Sequence, residues 1–263
     1  MAEKENTLYF IGAGPGAPGC LTLDGKDALQ KCLVVYALHP FPETFSEFLS
    51  GKEVREPLEY GYEELIRDVQ GALEQGDAGF LVPGDMTVFS PFLPVLEYFS
   101  SRSRVIPGVG TMNAAAALLK TSLDMPGISH AVVMTSPKRF DGEGGRERFC
   151  RLAKGADTLV LFMNNRPLDQ LSQELSCRFP PETPVAIVSR IGLRGERVYR
   201  GTLCTIADRV GRDDIFGFES GDPSLAILIV GKVLEGRSDP AFWDRRKKQW
   251  GERKRKKGKS GSP

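Results

Sequence analysis

Three loops in this chain combine residue types that could hold a ligand. They are Gly12-Ala13-Gly14-Pro15-Gly16-Ala17-Pro18-Gly19, Val82-Pro83-Gly84-Asp85-Met86-Thr87-Val88-Phe89-Ser90 and Ile106-Pro107-Gly108-Val109-Gly110-Thr111-Met112. Each carries Pro and Gly at or just after a short apolar run. Together they offer bare amides and carbonyls, one carboxylate (Asp85), hydroxyls (Thr87, Thr111) and apolar surface (Val88, Phe89, Met112). Such a mixture suits a small molecule that is part polar, part apolar, and gripped largely by main chain. It does not suit a phosphate, because the loops hold no Lys or Arg and no Walker spacing. Gly12, Gly14 and Ala17 fit the loose G-x-G-x-x-G/A pattern. A dinucleotide, however, also needs an acidic residue after the second strand, and Leu33–Tyr36 leads into Ala37-Leu38-His39-Pro40. Pro15 and Pro18 further remove amide donors that a pyrophosphate would use. Two plainer readings stay open: a tight turn without a ligand, and Asp85 as a helix N-cap or turn residue.

The elements that must position these loops read as alternating strands and helices. Strands are expected at Leu8–Ile11, Leu33–Tyr36, near Val54, at Gly79–Val82 and at Arg104–Ile106. Helices are expected at Leu21–Lys31, Tyr62–Gln75, Pro91–Phe99 and Met112–Lys120. Within Tyr62–Gln75, the residues Leu65, Ile66, Val69 and Leu73 have the spacing of one buried stripe. This alternation implies a parallel sheet, with ligands at the carboxyl ends of its strands. A turn at Asp124-Met125-Pro126-Gly127 is the expected domain boundary. Beyond it, strands are expected at Ala131–Thr135, Thr158–Phe162, Val185–Ser189, Arg197–Thr202 and Ser224–Val230, with helices at Glu147–Lys154 and Leu168–Cys177. The short link from Ser189 to Arg197 suggests a hairpin, so the second sheet should be mixed. The domains are therefore expected at 1–124 and 125–235, followed by a tail at 236–263.

Composition narrows the classes. The chain has 263 residues and a net charge of +1. No apolar run reaches the length of a membrane span. The polar start has no signal-peptide core, and the five scattered cysteines read as reduced thiols, so a cytoplasmic location is expected. Two histidines and no clustered cysteines make a metal site or a Ser-His-Asp triad a poor reading. The neutral total hides an asymmetry: residues 245–259 carry ten Lys or Arg and one Glu, which leaves about −8 on the remainder. Such a block is expected to be disordered. It is either a solubilising extension or an attraction for RNA or another anionic surface.

Four segments resemble the tetrapyrrole methylases, the S-adenosylmethionine (SAM)-dependent enzymes of cobalamin and sirohaem synthesis. They are Phe10-Ile11-Gly12-Ala13-Gly14-Pro15-Gly16, Val82-Pro83-Gly84-Asp85, Ile106-Pro107-Gly108-Val109 and Leu225-Ala226-Ile227-Leu228-Ile229-Val230-Gly231. They stand in the family's order, across residues 7 to 235. Gly84-Asp85-Met86-Thr87-Val88-Phe89-Ser90, and Val185–Val188 followed by Glu196–Leu203, look most like the precorrin-4 C11-methyltransferases. The resemblance implies a two-domain α/β fold, with a parallel N-terminal sheet, a mixed C-terminal sheet and SAM in the cleft between the domains. It implies SAM contacts at Pro15, Pro83, Gly84, Asp85, Val88, Gly110, Thr111, Met163 and Ile191, and a homodimer. The substrate would be a polycarboxylate tetrapyrrole whose electron-rich carbon attacks the activated methyl. Lys138, Arg139, Arg166, Arg190 and Arg194 lie where carboxylates could be met, or are ordinary surface bases. No residue is identified as the catalytic base. The sequence departs from the family's common pattern at Ala17 and Ala37, where many members carry Asp, and at Ser136-Pro137-Lys138-Arg139. Other readings on the same fold are methylation of another precorrin, a diphthamide precursor or ribosomal RNA. A different class again is a module that binds SAM or a tetrapyrrole without turnover.

Overall fold

Short strands, most of them buried along their whole length, build two five-stranded sheets. The computed structural model describes residues 5–221 and 224–259. One unit comprises Met1–Ala115 with Val188–Arg197, and the other Ala116–Ile187 with Val198–Pro263. The first unit's opening stretch ends at Ala115, inside a helix, and the turn at 124–127 lies within the second unit. The segment 188–197 returns to the first unit, which a reading of consecutive runs cannot anticipate.

The first unit runs β1 (Leu8–Gly12), α1 (Leu23–Lys31), β2 (Val34–Ala37), α2 (Phe41–Thr44), α3 (Ser46–Leu49), β3 (Glu53–Arg55), α4 (Tyr62–Gln75), β4 (Ala78–Val82), α5 (Leu93–Tyr98), β5 (Ser103–Ile106) and the start of α6 (Thr111–Leu119). Its sheet has the order β3-β2-β4-β1-β5, and every pair is parallel. Both faces are covered, as a parallel sheet requires. Leu8, Phe10, Val34, Tyr36, Ala78 and Phe80 face one side, where α4 adds Leu65, Ile66, Val69 and Leu73. Tyr9, Ile11, Val35, Ala37 and Leu81 face the other, against Ala28 and Leu29 of α1 and Phe41, Phe45 and Leu49 of the α2–α3 pair. Each buried α4 aliphatic contributes about 1.5–3 kcal/mol. The Glu64 carboxylate closes the start of that helix by accepting the Gly61 amide at 3.2 Å.

The second unit continues through β6 (Val132–Thr135), α7 (Gly145–Lys154), β7 (Thr158–Phe162), α8 (Leu168–Leu175), β8 (Pro184–Ser189), β9 (Arg197–Thr202), α9 (Ile206–Val210), β10 (Ala226–Val230) and α10 (Ala241–Lys259). Its sheet order is β6-β7-β10-β8-β9. β6 and β7 are parallel and β7 and β10 antiparallel, so the sheet is mixed. Its core gathers Phe149, Leu159, Leu161, Leu171, Leu175, Ile187 and Leu228.

Two expectations are corrected here. Cys150 on α7 and Cys177 beyond α8 form a disulfide, with Cα atoms 6.1 Å apart. Their 27-residue separation hides a pairing that exists only once α7 packs on α8. Cys20, Cys32 and Cys204 are free. The basic tail, expected to be disordered, is helical over Ala241–Lys259, while residues 260–263 lie outside the described residues. The Asp239 carboxylate accepts the Ala241 amide at 2.9 Å and pairs with Arg245 at 2.9 Å. Asp244 in the first turn matches the helix dipole, and Arg and Lys are good helix formers. Among the described residues, no helix is long and apolar enough to cross a membrane.

Candidate functional site

The carboxyl ends of β1, β4 and β5 lie side by side in the first sheet, and their glycines let the following loops touch backbone to backbone. A Cβ on Gly12 would stand 2.5 Å from the Gly108 nitrogen and 3.1 Å from the Gly84 carbonyl oxygen. One on Gly108 would meet the Gly12 backbone at 2.7 Å. No other residue type fits there without displacing main chain. Gly14 and Gly84 exchange both backbone hydrogen bonds, at 3.1 and 2.8 Å, and have φ of 75° and 70°, a region that favours glycine. Ala13 adds an amide bond to the Val82 carbonyl at 2.8 Å. Gly16 lies under the 188–197 segment, where an added Cβ would sit 2.6 Å from the Ile191 carbonyl oxygen.

Asp85 ties two of these loops together. One carboxylate oxygen accepts the Gly108 amide at 2.7 Å; the other accepts the Thr87 amide at 2.8 Å and the Thr87 hydroxyl. Partial burial opposes ionisation, but the bonds from Thr87 and Gly108 prevail and hold the carboxyl below the usual range. Asp85 is therefore a turn residue that also binds a neighbouring loop. It is not the N-cap of α5, whose Phe92 amide is met by the Ser90 hydroxyl at 3.2 Å. Thr22 works similarly, capping α1 through the Gly25 amide at 3.0 Å and donating to the Pro107 carbonyl at 3.3 Å.

Of the positions that the resemblance assigns to SAM, Pro15, Pro83, Gly84, Asp85, Val88, Gly110, Thr111 and Ile191 belong to the first unit. Gly84 and Thr111 are neighbours: a Cβ on Gly84 would lie 3.0 Å from the Thr111 hydroxyl oxygen. Met163 belongs to the second unit and follows β7. Of the four non-glycine residues with positive φ among the described residues, Phe89 (55°), Met163 (48°) and Arg190 (55°) are on or beside these positions in sequence, and Lys120 (56°) is not. Such conformations cost about 1–3 kcal/mol each and concentrate at ligand-binding loops.

The candidate substrate bases separate into two groups. Lys138, Arg139, Arg190 and Arg194 are exposed. Arg166 is 7% exposed and serves the core. Its guanidinium donates to Glu174 at 2.6 Å, to Asp141 at 3.2 Å and to the Phe140 carbonyl at 3.1 Å, and lies over the Phe149 ring. Arg166 is thus withdrawn as a substrate contact. Ala37 is buried in the first unit's core, so that position carries no ligand-facing polar group.

Some functional features escape sequence reasoning. The Tyr36 hydroxyl donates to Asp68 at 2.6 Å, and Asp68 also accepts Arg55 at 2.7 Å. Burial, reinforced by Asp68, pushes this phenol up, so it keeps its proton at neutral pH. In the second unit, the Ser136 hydroxyl and the Asn165 carbonyl oxygen are buried without a hydrogen-bond partner. They follow the carboxyl ends of the parallel strands β6 and β7. Buried polar atoms of this kind are what a polar ligand would satisfy. The donor set as a whole, main chain with a few hydroxyls and apolar side chains, fits a molecule carrying polar groups and an apolar body.

Comparison with known proteins agrees with this chemistry. Residues 7–207 match the family model of the tetrapyrrole (corrin/porphyrin) methylases. A cobalt-precorrin-4 C(11)-methyltransferase of Methanocaldococcus jannaschii is 29% identical over 88% of this chain and 90% of its own. A precorrin-4 C(11)-methyltransferase of Mycobacterium tuberculosis is 32% identical over 89% of this chain and 94% of its own. The crystal structure of a cobalt precorrin-4 methyltransferase, 23% identical, superposes with a TM-score of 0.73 over 88% of this chain and 96% of that one, which establishes the shared fold.

Proposed function

Because this chain belongs to the tetrapyrrole (corrin/porphyrin) methylases, we propose that it transfers a methyl group from SAM to C11 of precorrin-4 or its cobalt form, in cobalamin biosynthesis. The observation that carries this reading is the interlocked edge formed by Gly12, Gly14, Gly84, Asp85 and Gly108, which presents main chain at the ends of β1, β4 and β5. The 29–32% identity to precorrin-4 methyltransferases supports the substrate. SAM supplies a methyl already activated on a sulfonium, so the protein needs no strong nucleophile of its own.

The residues of the chain bind and orient. Pro15, Pro83, Gly84, Val88, Gly110, Thr111 and Ile191 would hold SAM, largely through main chain. Asp85 works one step back: with both oxygens engaged by Thr87 and Gly108, it fixes the shape of the loops that bind. Apolar Val88 and Phe89 would help exclude water, and alignment within such a site contributes most of the rate. The exposed Lys138, Arg139, Arg190 and Arg194 are the bases left to meet substrate carboxylates. A cytoplasmic homodimer belongs to the same reading; light scattering of the purified protein tests the dimer.

The test is isothermal titration with SAM and S-adenosylhomocysteine, for the native chain and Asp85→Ala, followed by assay for one methyl gained by precorrin-4. Binding should weaken about tenfold or more in the variant, since an unmet Gly108 amide and a loosened loop are left behind. Native protein that is folded but binds neither ligand overturns the reading. Tight SAM binding without transfer to any precorrin would instead favour a non-catalytic binding module.

A further inference from the structure

The chain has two tryptophans, and both lie on α10. Trp243 and Trp250 are seven residues apart, with Arg246 and Lys247 between them at three and four residues from Trp243. These spacings place all four on one helix face. The two indoles are 74% and 70% exposed, far more than aromatic side chains with a structural role. Together with Arg246, Lys247 and Gly251 they line a cavity of about 600 Å³. That volume falls within the range of small-molecule sites.

The lining specifies a ligand. Exposed indole faces want a broad, flat apolar body. The guanidinium of Arg246 and the ammonium of Lys247 want anionic groups at its rim. A bilayer surface fits poorly, because Ala241, Phe242, Trp243 and Trp250 are the only apolar residues between Ala241 and Lys259, and cations interrupt the aromatic face. The rest of the chain carries about −8 and repels a polyanion, whereas residues 245–259 carry a net +9. Long-range attraction for a polycarboxylate is therefore strongest at this helix, before local bases such as Arg190 and Arg194 are reached.

We propose that α10 is a capture site for a polycarboxylate tetrapyrrole, which lies against Trp243 and Trp250 with its carboxylates on Arg246 and Lys247. The ligand class rests on the reading of the preceding subsection, and the site's residues are none of those that would hold SAM. Capture raises the local substrate concentration, so it acts on KM and leaves kcat alone.

Because no other tryptophan exists, indole emission of the full chain reports this helix alone. The probe is uroporphyrin III, an eight-carboxylate tetrapyrrole, with oligouridylate and phosphatidylglycerol vesicles in parallel. Saturable quenching by uroporphyrin III is expected. It should weaken about tenfold or more in Arg246→Glu/Lys247→Glu, which keeps both indoles, and on raising salt from 50 to 200 mM. The same variant should raise KM for precorrin-4, with kcat and SAM affinity unchanged. Quenching indifferent to the charge reversal, or a response to oligouridylate or vesicles but not to uroporphyrin III, overturns the proposal. Charge-dependent quenching without methyl transfer would sink the catalytic reading and keep the capture site. Methyl transfer with unaltered KM and no quenching would do the reverse.

Discussion

At Gly12, Gly84 and Gly108 the first unit is held by backbone against backbone, whereas around Arg166 the second is held by side chain against side chain. Gly12 and Gly108 tolerate no added atom, since a Cβ there would meet main chain, and Gly84 is held to glycine by its φ of 70°. The Arg166 network depends on charge: a buried guanidinium balances a buried Glu174 and an exposed Asp141. One region should therefore fail when volume is added, the other when charge is removed. Only the first should carry cofactor affinity with it.

The largest effect is expected from Arg166→Met, which keeps apolar volume near Phe149 but leaves Glu174 buried without its cation. Losing one partner of such a pair costs about 3–5 kcal/mol, read as a lower denaturation midpoint in urea. Arg166→Met/Glu174→Leu should recover most of that loss, and SAM affinity should be unchanged wherever the variant is folded. A single variant as stable as the native chain would mean that the network holds nothing.

Gly108→Ala comes next. Its methyl is forced onto the backbone of Gly12 and Gly84, at a cost of about 1–3 kcal/mol. Here the stability loss should be accompanied by at least a tenfold loss of SAM affinity by titration calorimetry, the reverse of the Arg166 pattern. Normal SAM affinity in this variant would detach the glycine edge from the cofactor.

The smallest effect is expected from pH at Asp85. Its carboxyl is held low by the bonds from Thr87 and Gly108, despite partial burial. A folded value below the unfolded one gives stability that is fully present above the ordinary carboxylate pKa of about 3.9. That stability disappears as pH falls through the lowered folded value. Native chain and Asp85→Asn should thus differ in melting temperature by a constant gap from about pH 7 to 5, which closes toward about pH 2. A gap that persists unchanged into acid would place its origin in shape rather than charge.

How much of this was legible in the sequence follows from distance along the chain. Helix α4 coincides with its stripe of Leu65, Ile66, Val69 and Leu73 at both ends, because that signal is local. Most strands follow from short apolar runs for the same reason, whereas β3 and β9 are polar and largely exposed. The loops at 12–19, 82–90 and 106–112 were visible as glycine-rich ends. That Gly12, Gly84 and Gly108 meet one another was not, since their partners lie many tens of residues away and only the β4-β1-β5 order joins them. Arg166 read as a surface base because its partners Asp141 and Glu174 sit on separate elements. The α2–α3 pair escaped notice behind Leu38-His39-Pro40-Phe41-Pro42, where prolines mask two single-turn helices. In the tail, like charges argue for disorder, while Asp239 at its start and helix-forming residues argue the other way, and the helix prevails.

The reciprocal bonds between Gly14 and Gly84 also bear on the speed of exchange at the loops. Ordering a slack segment costs about 1–2 kcal/mol per residue in conformational entropy. Loops already stitched to one another leave little of that cost to an arriving ligand. If these loops hold the cofactor as proposed, spent S-adenosylhomocysteine would depart, and fresh SAM arrive, on a template that does not have to be rebuilt between turnovers.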